Sequence, residues 1–177
     1  MTSKEELQWV LRAQCDDREA LEALLRTAQP RLRQYLCGLV GPQKADDVLQ
    51  EALIAICRNV RWLRVPEFFW TWAFRIASRL AFRHLRHEQR RAEEALAPES
   101  IEALQSIAPQ PSGLVMEDLL QSNALPPASK AVLALHFGQD LSLAEVAVAL
   151  DIPLGTVKSR LAAGLAALRD DFQERTM

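Results

Sequence analysis

Glycine is scarce, with 6 in 177 residues, and no segment alternates apolar and polar side chains with β-branched enrichment, so no β-strand is expected. Long apolar runs are missing too. Nothing approaches the roughly 18 residues that a membrane span needs, which argues against direct membrane insertion. The first six residues mix charges without an apolar stretch, so no secretory signal is expected and the cytoplasm is the expected location. The three cysteines, Cys15, Cys37 and Cys57, are odd in number and far apart, with no C-x-x-C pair. They give no metal or disulfide framework and are expected to be reduced, small apolar residues. A phosphate-cradling glycine loop, a zinc-ligand spacing and a nucleophile-plus-base pattern are all lacking, so neither an enzyme nor a cofactor is expected.

What is present is helix former. Hydrophobic residues make up 49% and charged residues 25%, enough apolar material for a packed core. Helical patterns cover about Lys4 to Ala13, Arg18 to Leu39 with a break or kink at Pro30, Lys44 to Asn59, and Glu67 to Arg91. Gly41-Pro42 punctuates the second and third. From Ala92 to Gly113 the composition changes: four glutamates, three prolines and no Lys or Arg mark a flexible acidic linker. A second unit begins near Leu114. The expected architecture is all-α: two small helical domains, 1–91 and 114–177, joined by the linker 92–113.

Charge is unevenly placed. The chain carries −2 overall, yet Arg58 to Arg91 holds nine arginines against two acids, a local +7. Arg75, Arg79, Arg83, Arg86 and Arg90 follow at intervals of four, four, three and four. At about 100° per residue they share one arc of roughly 80°. Phe69, Ala73, Ile76, Ala77, Leu80 and Ala81 fill a broader neighbouring arc that should face the core. Trp72 falls within the arginine arc, and Trp62 and Trp70 flank the start of the helix. A solvated charged face beside core aromatics would show the same stripe. Arginines on a phosphate backbone next to rings that stack on bases are, however, what single-stranded nucleic acid binding requires. His84, His87 and Glu88 suit polar or phosphate contacts better than a metal.

The last third carries a second pattern. Ser142 and Glu145 form a capping box that opens a short helix, Leu143 to Leu150; Asp151-Ile-Pro153 breaks it; a longer helix follows, about Leu154 to Asp170, with apolar Val157, Leu161, Leu165 and Leu168. A helix from about Pro127 to Phe137 would brace the pair. Short helix, turn and longer helix form the arrangement that places N-terminal side chains of the second helix against base edges in the major groove; an ordinary helical hairpin has the same spacing.

Four segments bring a known family to mind. Ala45-Asp-Asp-Val-Leu-Gln-Glu-Ala-Leu53 resembles the signature helix of sigma domain 2 in the sigma-70 superfamily, and Trp72 to Ala81 resembles the segment after it, which melts and reads the −10 element. Leu125 to Leu133 and Leu141 to Leu161 resemble sigma domain 4. With no domain between the two, the chain is similar to the compact extracytoplasmic-function (ECF) group. The resemblance implies an alternative sigma factor that binds core RNA polymerase and directs promoter recognition, melting and initiation. It implies that Asp46, Asp47, Gln50 and Glu51 dock on the polymerase. It implies that Arg61, Trp62, Arg64, Trp72, Arg75, Arg79 and Arg83 serve the single-stranded −10 element, with a base flipped into the connection 60–66. Thr156, Lys158, Ser159 and Arg160 would meet the duplex −35 element, and an anti-sigma protein is a further implied partner.

Two departures stand out. Arg79 occupies a position where the family often has Asn, and Ala162 to Ala167 lacks the arginines frequent there. From Leu125 onward five basic residues face six acids, and Gly164 in the recognition helix costs about 1 kcal/mol relative to Ala, so weak intrinsic −35 affinity is expected. A stand-alone helix-turn-helix regulator would explain the last third alone, and a protein-binding decoy would explain the weakly charged second unit.

Overall fold

The computed structural model describes residues 3–95 and 125–175. Among them there is no strand. The first unit is a bundle of α1 (Ser3–Gln14), α2 (Arg18–Val40), α3 (Pro42–Asn59) and α4 (Phe69–Ala95). Two single 3-10 turns, Val60–Trp62 and Pro66–Phe68, connect α3 to α4. The second unit holds α5 (Pro127–Leu133), a π-helical turn at Ala134–Gly138, α6 (Leu143–Leu150) and α7 (Leu154–Arg175). The linker expected at 92–113 lies outside the described residues from 96 onward, and α4 occupies its first four positions.

Local chemistry sets the joints. Asp17 caps α2 by accepting from the Ala20 N–H at 3.1 Å, with Arg12 donating to its other oxygen. Gly41, at φ 80°, ends α2 and starts α3, a backbone conformation that a side chain would strain. Pro42 follows at the first helical position, where its missing N–H costs nothing. Of the break or kink expected at Pro30, the break does not occur: α2 runs through it. Pro30 is solvent-exposed, so water can serve the Arg26 carbonyl that loses its helical partner.

The core follows helical periodicity. On α2, Ala20, Leu24, Ala28, Leu32, Tyr35, Leu36 and Leu39 are buried; on α3, Ala45, Val48, Leu49, Ala52 and Ile56; on α4, Phe69, Ala73, Phe74, Ala77 and Ala81. Each fully buried Leu stabilises by about 1.5–3 kcal/mol, and truncating Leu32 to Ala, with the cavity it leaves, should cost about 2–5 kcal/mol at the centre of the bundle. Tyr35 is buried with its hydroxyl 2.6 Å from that of Ser78 and its ring edge-on to Phe74. Burial pushes its ionisation far above the ordinary tyrosine range, so it stays a neutral hydrogen-bonding group.

The two units pack on each other. Most of their buried residues form one continuous apolar cluster, with α6 lying on α4 and α5 on α2, while Leu125, Leu133 and Leu168 form a second, smaller cluster in the second unit. A polar joint centres on Arg31. Its guanidinium sits 3.8 Å over the Trp70 ring and donates to Gln139 Oε1 at 3.0 Å and to the Gln139 carbonyl at 3.3 Å. Gln139 is itself buried, and Trp70 Nε1 donates to Glu6 at 2.9 Å.

Candidate polymerase and nucleic-acid interface

Three surfaces carry the residues predicted from sequence. The first is the outer face of α3. Asp46, Asp47, Gln50 and Glu51 are all exposed, because the opposite face of the helix is used up by the core. Asp46 accepts two hydrogen bonds from Arg33, at 2.7 and 3.3 Å, which hold its carboxyl below the usual range. Glu51 accepts from Arg83 of α4 at 2.5 Å. One acid of this face is therefore tied to one arginine of the basic helix.

The second surface is the connection 60–66 with the adjoining face of α4. One side chain organises the connection: the Gln14 amide donates to the carbonyls of Val60, at 3.1 Å, and Leu63, at 2.7 Å. Trp62 stands out from this pinned loop at 74% exposure. Arg61 reaches back to Asp16 at 2.7 Å, and Arg64 is exposed. Arg79 and Arg83 are exposed along α4; Arg75 is half-buried. Trp72 lies on the arginine arc but is half-buried, packed near Phe69 and facing a groove of about 470 Å³ between the units. Sequence gave no signal for the groove's far wall, Ala144, Glu145 and Val148 of α6. His84 lies 3.7 Å from Glu88, which is also the partner of Lys44. No group of three metal-ligating side chains occurs among the described residues.

The third surface is the start of α7. The capping box forms as expected: Glu145 N donates to Ser142 Oγ at 3.3 Å, and Ser142 N to Glu145 Oε2 at 2.9 Å. Asp151, left-handed at φ 57°, closes α6 and turns the chain into α7. Lys158 and Ser159 are exposed and Thr156 and Arg160 half-exposed in the first two turns, with Ser159 Oγ donating to the Thr156 carbonyl at 3.0 Å. Val157 and Leu168 are buried, whereas Leu165 is 41% exposed. Gly164 is buried where α7 crosses α5: a Cβ there would come within 2.9 Å of Leu133 Cδ1. Its helix-propensity penalty is the cost of that close approach.

A helix-turn-helix joined to a helical bundle with one acidic and one basic face defines an all-α, two-unit DNA-binding factor that also engages a protein. Family models agree: the Sigma-70 region 2 model matches residues 24–91 and the Sigma-70, region 4 model residues 123–170. The RNA polymerase sigma-H factor of Pseudomonas aeruginosa is 30% identical over 175 residues, covering 91% of this chain and 90% of that protein. The ECF sigma-E factor of Escherichia coli is 29% identical (93% and 92% covered), and ECF SigW of Bacillus subtilis 26% (89% and 91%). Two solved structures share the fold. RpoE of Bartonella quintana, in complex with the anti-sigma factor NepR, superposes with a TM-score of 0.70 at 20% identity over 86% of this chain and 96% of that one. CnrH, in complex with the cytosolic domain of CnrY, gives 0.66 at 18% over 96% and 98%. The chain belongs to the sigma-70 family of RNA polymerase sigma factors, in its ECF group. It is an alternative sigma factor that works with core RNA polymerase and promoter DNA to direct promoter recognition and transcription initiation.

Proposed function

We propose that the three surfaces divide the work of initiation. Asp46, Asp47, Gln50 and Glu51 dock on basic side chains of the polymerase, where paired charges give orientation and register. Trp62, with Arg61 and Arg64, receives the unstacked −10 strand, and Trp72 forms the inner wall beside it. Arg75, Arg79 and Arg83 follow the backbone of that strand and so assist melting. Thr156, Lys158, Ser159 and Arg160 read the −35 duplex. Residues 1–91 form the polymerase and −10 unit, 114–177 the −35 unit, and 92–113 connects them. The protein acts in the cytoplasm, catalyses no reaction itself, and is held in check by an anti-sigma protein, as the NepR and CnrY complexes of its fold relatives suggest.

The observation that carries this reading is Trp62: a large indole, 74% exposed, on a loop that Gln14 pins at two carbonyls. An exposed ring on a rigid support, flanked by arginines, is a stacking platform. The test is in-vitro transcription with purified core polymerase on a library of upstream DNA. Transcripts that share an upstream element, appear only with this protein and are lost in Trp62→Ala would support the assignment. Transcription unaffected by Trp62→Ala would overturn the stacking role. Duplex binding without polymerase-dependent transcripts would return the stand-alone regulator.

A further inference from the structure

The α4 face assigned above to the −10 strand is occupied. Asp151, in the turn of the helix-turn-helix, places its carboxylate 3.2 Å from Arg75 and 3.9 Å from Arg79. Its position is set by backbone: in the left-handed region, its N–H bonds the carbonyls of Ala147 and Val148. Arg75 Nε is buried and donates to nothing among the described residues, a cationic donor without an acceptor. Beside it, Ala144, Glu145 and Val148 of α6 wall off the groove whose other side is Leu63, Val65, Phe68 and Trp72.

We propose that Asp151 is an intramolecular stand-in for a promoter phosphate. In the unbound chain the turn of the −35 reader occupies the arginines of the −10 reader, so the closed arrangement and the melted strand compete for Arg75 and Arg79. The inference rests on the reading that these arginines follow the strand. A carboxylate and a phosphate oxygen present the same acceptor to a guanidinium, so one displaces the other without rebuilding the site. Both ion pairs are partly exposed, hence individually weak and readily exchanged. Closure occludes one DNA surface only, because Lys158 and Ser159 stay exposed. The acid that closes the −10 face therefore leaves the −35 residues accessible.

The test is binding of a fluorescent, mixed-sequence single-stranded 20-mer DNA by the full chain at low ionic strength, read by anisotropy. Asp151→Asn removes the charge and keeps the turn, since Asn tolerates the left-handed region. Asp170→Asn, at the far end of α7, controls for net charge. Asp151→Asn is expected to tighten binding about three- to tenfold and Asp170→Asn less than about twofold. Adding Arg75→Ala and Arg79→Ala should remove the gain. Equal effects of the two Asn variants, with the arginine variants still weakening the wild type, would overturn the stand-in and leave the arginine assignment intact. Arginine variants without effect in either background would overturn both.

Discussion

Replacing Arg31 by Met should open the two units. Met keeps most of the stem and deletes the guanidinium, which sits 3.8 Å over Trp70 and donates twice to Gln139, 108 residues away in sequence. A hydrogen bond from a charged group contributes about 1.5–3 kcal/mol; the contact with Trp70 lies within the first unit and survives opening, so only the bonds to Gln139 count toward the joint. Gln139, buried at the joint, would also lose the donor to its side-chain oxygen. Desolvation works the other way: burial is the main influence on Arg31 and lowers its affinity for a proton, against Glu6 and Asp140, which raise it. The balance is about 2–3 kcal/mol, which shifts the closed-to-open ratio by about thirty- to a hundred-and-fiftyfold. Small-angle scattering of the free protein should then show a larger radius of gyration and a broader distance distribution. An unchanged radius of gyration together with a lowered Tm would refute the reasoning, because Arg31 would then be stabilising the first bundle and not the joint.

Gly164→Leu should cost about 3 kcal/mol by urea denaturation, while Gly164→Ala should stay within about 1 kcal/mol of wild type, because its gain in helix propensity offsets the push on Leu133. Asp17, Asp46 and Glu88 are all held below their ordinary ranges, mainly by a backbone hydrogen bond at Asp17 and by Arg33 and Lys44 at the others. Groups depressed in the folded state contribute stability above their unfolded pKa and lose it as pH falls through the folded value. The urea midpoint should therefore be flat at neutral pH and decline below about pH 4, less steeply in Asp46→Asn. Within the holoenzyme, Arg83→Ala should lower the salt dependence of −10 strand binding by about 0.7 in log–log slope, the value of one phosphate contact on single-stranded DNA. An unchanged slope would leave Arg83 as a partner of Glu51 alone.

The helices were legible because their signals are local. Periodic Leu and Ala on α2 and α3, Gly41-Pro42 and the Ser142–Glu145 box each act within a few residues, and each forms where the pattern places it. What escaped the sequence is pairing between distant segments. Trp72 shares an arc with Arg75 and Arg79 on a helical wheel, yet it is half-buried, because the wheel does not show that a second unit packs there. Gln14, Arg31 and Gln139 carry no motif; their roles come from carbonyls, a ring and a side chain far along the chain. Gly164 reads as a penalty until Leu133 is seen against it.

The charge count of the second unit shows why such information cannot be had from one segment at a time. Five basic residues against six acids make residues 125–177 a poor partner for duplex DNA when every acid is weighed alike. Asp151 is not alike: its nearest cations are Arg75 and Arg79 of the +7 segment, not those of α7. One of the six acids is thus engaged with the basic helix and not with the start of α7. Removing Asp151 should therefore change the first unit's exposure more than the second unit's hold on DNA.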